Sequence, residues 1–262
     1  MKQSFGNFDC AAATDVGKVR LENEDAFLLA PERGVFAVAD GMGGHEAGRL
    51  ASAVVVEELG RLDEPASVAE LLARCRERLA RANARLIGVA AERGAVVMGA
   101  TVAALLAWEG YYACVWSGDS RIYLVRRGAI AQLSRDHTEV AELVAEGVLT
   151  AQEAQSWPRR NVITRAVGVY AELDLEVTQG VLEKGDVFVI CSDGLTTHVS
   201  DAEIGEAIRL APPAEACARL VALTLERGAS DNVTVLAIRY APTGSTVVFA
   251  QDEAAKARWP KR

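Results

Sequence analysis

The chain has 262 residues, half of them hydrophobic, and a formal net charge of −8 at pH 7, which allows one large globular domain. The acidic balance, with no Lys/Arg block longer than a pair before the C-terminus, argues against binding to nucleic-acid phosphates. Because no apolar run reaches the ~20 residues that span a bilayer and the N-terminus lacks a signal-peptide core, we expect a cytoplasmic monomer without a membrane partner.

The cysteines are odd in number, widely scattered and free of any CxxC pair. This pattern disfavours both a disulfide framework and a zinc site. We expect all five to be small buried hydrophobes. They are Cys10, Cys75, Cys114, Cys191 and Cys217.

The first part of the chain predicts a hairpin followed by two helices. Apolar runs at 8–14 and 25–40, the second broken by a turn at 31–34, are typical of strands. Residues 45–59 and 66–92 are rich in Ala, Leu, Glu and Arg at helical spacing, so each predicts a helix.

The second part predicts more strands, then an insertion and two further helices. Four strand-like runs separated by short turns indicate an antiparallel meander: 98–108, 111–117, 121–126 and 129–133. An insertion with short helical stretches follows at 136–165. Beyond it we expect an exposed strand at 173–177, a buried strand at 187–191, helices near 201–210 and 213–226, and a last strand at 233–240.

Antiparallel strands mixed with paired helices favour an α+β layered sandwich over a βαβ arrangement. With no repeat and no low-complexity linker, we expect one domain over residues 1–240. Residues 241–262 would then be a mobile or loosely docked tail.

Several acidic residues stand at the ends of these apolar runs. Asp40, Asp119 and Asp193 each follow one, while Glu24 and Asp231 each precede one. Carboxylates that buried strands deliver to one point repel each other unless a cation neutralises them. The pattern therefore predicts a metal site.

Oxygen donors without a His or Cys cluster select Mg²⁺ or Mn²⁺. Two such ions about 3.5 to 4 Å apart can activate a shared water and clamp the oxygens of a phosphoryl displacement. Arg20 lies four residues before Glu24, and its planar fork matches a phosphate.

Simpler interpretations remain open for each residue taken alone. Asp-Gly is a frequent turn signal, Arg20 could be a solvated charge, and Asp231 could form an Asx-turn. A nucleophile triad built from Ser192 or Cys191 with His198 is a further alternative, although triads are defined in space rather than by adjacency.

Six motifs in order resemble those of the metal-dependent protein phosphatases, the PP2C or PPM family, and in particular its bacterial members. They are TDVGKVRLENED at 14–25, DGMGGH at 40–45, SGDSR at 117–121, DHT at 136–138, SDG at 192–194 and SDN at 230–232. The resemblance spans residues 10–240. It implies a four-layer α-β-β-α sandwich with the metal site at one end and a flap at about 138–165.

The resemblance also implies a metal centre with two tightly bound Mn²⁺ or Mg²⁺ ions and a weak third. Asp40 would bridge the first two ions, and the Gly41 carbonyl would bind the first. Asp193 and Asp231 would hold the second.

Other residues take supporting roles in the same family. Glu24 would act through coordinated water, with Asp25 supporting that shell. Asp119 together with Asp193 would form the third site. Arg20 would grip the substrate phosphate.

Two departures from the family pattern bear on chemistry. Eukaryotic members commonly carry His, a candidate general acid, where this chain has Met42, so His45 is the nearest substitute. Bacterial relatives often have HPxRNxxTRAxG in the flap, whereas this chain has WPRRNVITRAVG at 157–168, so Trp157 could alter substrate fit.

The resemblance implies hydrolysis of phosphoserine and phosphothreonine on proteins by a metal-bridging water, reversing a serine/threonine kinase. Two other functions stay open: a pseudophosphatase that binds a partner, and a structural protein whose Asp-Gly pairs are only turns. No expected metal aspartate is lost, which weighs against the pseudophosphatase.

Overall fold

Two antiparallel sheets form the centre of the fold. The computed structural model describes residues 2–5, 7–63, 65, 67–94, 97–159 and 161–242. The strands are β1 (Lys2–Phe5), β2 (Phe8–Asp15), β3 (Asp25–Ala30), β4 (Val35–Met42), β5 (Gly99–Ala100), β6 (Val102–Trp108), β7 (Tyr111–Ser117), β8 (Arg121–Arg126), β9 (Ala129–Gln132), β10 (Glu176–Val181), β11 (Val187–Cys191) and β12 (Val233–Tyr240). The helices are α1 (His45–Gly60), α2 (Val68–Glu92), α3 (Glu139–Ala145), α4 (Ala151–Gln155), α5 (Asp193–Thr196), α6 (Asp201–Leu210) and α7 (Pro213–Glu226).

The strands pair into two sheets that interleave distant parts of the chain. One sheet has the order β1-β2-β12-β11-β8-β9, and the other has β10-β7-β6-β4-β3 with β5 added beside β4. The N-terminal strand β2 pairs with the last strand β12 over its whole length, from Phe8 opposite Tyr240 to Asp15 opposite Val233. The two ends of the domain are thus held together.

Alternation of side chains along each strand produces three apolar layers. In β4, Val35, Ala37 and Ala39 face the core beneath α1 and α2, whereas Phe36 and Val38 face the core between the sheets. The outer face of the other sheet packs against α6 and α7. The predicted four-layer α-β-β-α sandwich is confirmed.

The predicted meander is wrong at one point. After β7 the chain turns at Gly118 (φ 112°) and enters the other sheet, where β8 pairs with β9 and β11. Trp116 and Ile122, on either side of this crossover, both face the core between the sheets. Local alternation is the same for a hairpin and for a crossover, so it could not distinguish them.

The exposed strand predicted at 173–177 is displaced. The ladder with β7 begins at Glu176, opposite Trp116, and continues to Val181. Leu173 and Leu175 pack against the core beside α1 and α2 without joining the ladder. Alternation reports which side chains are buried rather than which backbone groups pair.

The predicted insertion contains the short helices α3 and α4, capped by Thr138 and Thr150. A bridge between Thr138 and Ile163 closes its base. All five cysteines are buried, and no two of them form a disulfide. Within the described ranges, no helix is long and apolar enough to cross a membrane. Residues 243–262, most of the predicted tail, lie outside the described residues.

Candidate metal centre

Five aspartates meet at one end of the two sheets. Asp25 opens β3 and stands directly opposite Asp40 in the β3–β4 ladder. Asp119 follows β7, Asp193 opens α5 just after β11, and Asp231 precedes β12. Electrostatic interactions link all five carboxylates. The structure thus brings together the aspartates that the sequence placed at strand ends.

The cluster is costly to ionise. Burial, with repulsion from neighbouring aspartates, raises the pKa of Asp119 to about 8, that of Asp25 to about 7 and that of Asp193 to about 6. The same causes raise the pKa of Asp40 well above its usual range. Asp193 lies within hydrogen-bonding reach of Asp40. A bound cation would remove this repulsion and stabilise the ionised carboxylates.

Three buried oxygens of the cluster are free to bind such a cation. Oδ1 of Asp25, of Asp119 and of Asp193 has no hydrogen-bond partner among the described residues. In the same part of the chain, no three His, Cys, Asp or Glu side chains are arranged to hold a single ion together. Mg²⁺ keeps several waters and needs few protein ligands, so an open cluster of oxygen donors still fits it.

Thr101 joins the strand of Asp40 to the loop of Asp119. Its Oγ1 accepts the backbone N–H of Asp40 at 3.0 Å and lies 2.7 Å from Oγ of Ser120. Its own N–H donates to the Asp40 carbonyl at 2.8 Å. Thr101 could not be predicted from the sequence, because no spacing rule links residue 101 to residues 40 and 120.

Ser192 and Asn232 tie the cluster to the loop that carries Arg20. Ser192 Oγ donates to Asp25 Oδ2 at 2.8 Å. Asn232 Oδ1 accepts the N–H of Glu24 at 2.8 Å, and Asn232 Nδ2 donates to the carbonyls of Val16 and Glu22. Both lie in motifs that the sequence singled out, but Asn232 had no predicted role and Ser192 only that of a nucleophile in the alternative triad.

Glu24 lies against α1, where two glycines leave room for it. A Cβ at Gly48 would overlap Oε2 of Glu24, and a Cβ at Gly41 would overlap the carbonyl of Gly48. Gly41 also donates its N–H to the Glu24 carbonyl at 3.2 Å. The close packing of Gly41 on α1 explains why only glycine fits after Asp40.

Arg20 stands at the edge of the cluster. Its side chain is 52% exposed, and Nη2 donates to Asp231 Oδ2 at 2.7 Å. This hydrogen bond raises the pKa of Arg20, which is therefore cationic. The guanidinium is both close to the carboxylates and accessible from solvent.

The simpler interpretations do not hold for the Asp-Gly pairs or the triad. Asp40 lies within β4, and Asp193 begins α5, so neither pair is a free turn. Ser192 is bonded to Asp25 and to the Thr234 N–H, whereas His198 Nε2 accepts the N–H of Ser230. His45 is the first residue of α1, but its side chain lies outside the described part of the structure.

Acidic side chains that gather at the end of a layered sandwich, with a cationic fork beside them, are typical of metal-dependent phosphoryl hydrolases. The family model for protein phosphatase 2C matches residues 18–232. That is most of the chain, and the chain belongs to this family.

Relatives and solved structures agree with this assignment. The serine/threonine protein phosphatase PstP of Mycobacterium tuberculosis is 39% identical over 227 residues, which are 86% of this chain and 44% of PstP. The chain thus spans less than half the length of that relative.

Two solved structures share the fold. The structure of PppA, described as a key regulatory component of T6SS in Pseudomonas aeruginosa, has a TM-score of 0.84 and 40% identity, covering 90% of this chain and 98% of PppA. The catalytic domain of PstP in complex with two manganese ions has a TM-score of 0.81 and 36% identity, covering 90% and 99%.

Proposed function

We propose that this chain hydrolyses phosphoserine and phosphothreonine monoesters on proteins, using divalent metal ions held by the aspartate cluster. The observation that carries the proposal is a set of buried, mutually repelling carboxylates, three of which have an oxygen without a hydrogen-bond partner among the described residues. Homologues of the same family are named serine/threonine phosphatases, which supports the same substrate class.

The ligand set proposed for the two tightly held ions follows the family pattern. The Asp40 carboxylate would bind both ions, and the Gly41 carbonyl would bind the first. Asp193 and Asp231 would complete the second site. Manganese in the PstP structure supports Mn²⁺, and the oxygen donors here suit Mn²⁺ or Mg²⁺. When bound, such ions lower the pKa of a coordinated water and neutralise charge on the phosphoryl group.

A third, weaker ion is proposed at Asp119, next to Asp193. Burial is the largest cause of the raised pKa of Asp119, and the charge of Asp193 is the next. The two carboxylates are therefore electrostatic neighbours. A site with few carboxylates and mostly water ligands would bind Mn²⁺ or Mg²⁺ weakly. In a calorimetric titration, Asp119→Ala should then keep the tight phase of Mn²⁺ binding and lose the weak phase.

The remaining site residues would bind the substrate phosphate, orient water around the ions or donate a proton. Arg20 would exchange its bond to Asp231 for a bidentate grip on the phosphate once an ion neutralises that carboxylate. Asp25, bonded to Ser192, and Glu24, packed on α1, would orient water around the ions. His45 stays a candidate proton donor to the leaving group.

The biological setting is also proposed. The enzyme would act in the cytoplasm as a monomer and reverse the phosphorylation made by a cognate serine/threonine kinase. Its catalytic domain would span residues 1–240.

The test is phosphate release from a phosphothreonine peptide with and without Mn²⁺. We expect turnover only with metal, and none from Asp40→Asn. Without metal, the variant should be at least as stable as wild type, because the substitution removes a buried carboxyl that is costly to ionise. The control is Asp9→Asn near the start of β2, where residue 9 stands opposite Arg239, and this variant should stay active. Metal-dependent turnover by Asp40→Asn would contradict the proposal.

A further inference from the structure

The carboxylate of Asp119 depends on its backbone for its position. The residue is 6% exposed, and Oδ1 has no hydrogen-bond partner in the described part of the chain. No side-chain bond therefore holds this oxygen towards the cluster. Whatever fixes the peptide before Asp119 also fixes the direction of its carboxylate.

The carbonyl of that peptide, and the N–H of the peptide before it, belong to Gly118, where the chain crosses between the sheets. Gly118 has φ 112°, and a Cβ there would lie 2.6 Å from Cγ2 of Thr101, so the backbone is packed closely on one side. On the other side, the Gly118 N–H donates to Nδ1 of His137 at 3.1 Å, and the Gly118 carbonyl accepts the His137 N–H at 3.0 Å. His137 thus binds both polar groups of Gly118.

The bond from Gly118 determines the tautomer of the His137 ring. Because Nδ1 accepts a hydrogen bond, the proton of the neutral ring is on Nε2. Nε2 lies 3.3 Å from Oε1 of Glu176, and the ring stacks on Trp116 with 6.3 Å between centroids. Burial, with the charge of Arg165, lowers the pKa of His137, which favours the neutral form.

The same residue anchors the base of the flap. The His137 carbonyl accepts the N–H of Thr164 at 2.9 Å, and the next residue, Thr138, forms the bridge to Ile163. His137 is 1% exposed. It is therefore held in place by the flap backbone and by its stacking on Trp116 of β7, while Nε2 lies near Glu176 of β10 without a hydrogen-bond partner among the described residues.

We propose that His137 is a positioning residue whose ring Nδ1 and backbone N–H clamp the two peptides on either side of Gly118 and thereby direct the Asp119 carboxylate to the weakly held third ion. The inference rests on the proposed function, since it deepens the role of Asp119 in that site. His137 itself would touch neither substrate nor metal.

Two substitutions separate the two ring nitrogens. In His137→Asn, the amide oxygen takes the position of Nδ1 and can still accept the Gly118 N–H. In His137→Gln, the amide reaches the position of Nε2 and Glu176 instead, so the Gly118 N–H loses its acceptor. Both variants remove ring atoms from the same buried space, so each controls for the other's packing loss.

The measurement is Mn²⁺ binding to the full chain by calorimetry, alongside phosphopeptide kinetics. We expect His137→Gln to weaken the weak binding phase by about 10–100-fold and to leave the tight phase unchanged. His137→Asn should stay close to wild type, and Asp119→Ala should lose the weak phase. Equal behaviour of the two His137 variants, whether both intact or both impaired, would overturn the proposal.

A measurement on the wild-type chain covers variants that fail to fold. Long-range ¹⁵N–¹H correlation spectra should show His137 protonated at Nε2 and unprotonated at Nδ1, and protonation at Nδ1 would overturn the proposal. Absence of metal-dependent turnover by wild type would instead reject the proposed function, while the tautomer would still show whether Nδ1 accepts the Gly118 N–H.

Discussion

Gly48→Ala tests whether Glu24 must lie against α1. A Cβ at Gly48 would overlap Oε2 of Glu24, whereas a Cβ at Gly88 in α2 would meet no atom within 4 Å. Alanine in a helix interior is favoured over glycine by about 1 kcal/mol, so Gly88→Ala should raise the free energy of unfolding by that amount. Gly48→Ala should gain less, because the Glu24 side chain must move and the new Cβ would lie only 3.0 Å from the Gly41 carbonyl carbon.

The two variants should differ more in activity than in stability. If Glu24 orients water around the ions, its displacement should lower metal affinity or turnover by about 10–100-fold. Urea unfolding, Mn²⁺ calorimetry and phosphopeptide turnover are compared for both. Gly88→Ala should bind metal and turn over substrate as wild type does. A fully active Gly48→Ala with wild-type Mn²⁺ affinity would refute the role given to Glu24.

Three further variants test other parts of the site. Thr101→Val leaves the Asp40 N–H and the Ser120 hydroxyl without their partner and should cost about 1–3 kcal/mol in urea unfolding; a loss below the roughly 0.5 kcal/mol typical of surface substitutions would refute its role. Arg20→Ala should chiefly raise KM, and Arg20→Lys should rescue it poorly because Lys lacks the fork; unchanged kcat/KM would make Arg20 a surface charge. Trp157→His should alter the ranking of phosphopeptides more than hydrolysis of p-nitrophenyl phosphate, and equal effects would place Trp157 in the core.

Residues that end apolar runs could be predicted from sequence because burial and strand direction are local properties. Asp40 ends the buried run of β4 and Asp193 follows β11, and the layered fold brings the ends of those strands together. The all-oxygen composition of the cluster also followed from residue type. The resemblance to a known family then supplied the roles, which neither spacing nor composition could provide.

Long-range partners could not be predicted in this way. Thr101 bonds to Asp40 across 61 positions, and Ser192 bonds to Asp25 across 167. The sequence predicts a hairpin at Gly118 instead of a crossover, because a turn signal does not indicate which strand the chain pairs with after the turn. The ion pair between Arg20 and Asp231, 211 positions apart, likewise depends on the β2–β12 pairing.

The most direct test of the metal centre is a crystal structure of the chain grown with Mn²⁺, with the ions located by their anomalous scattering. We predict two strong peaks coordinated by Asp40, Asp193 and Asp231, and a weaker one at Asp119 that grows with Mn²⁺ concentration. A cluster without anomalous density at high Mn²⁺, with Asp193 still within hydrogen-bonding reach of Asp40, would contradict the account.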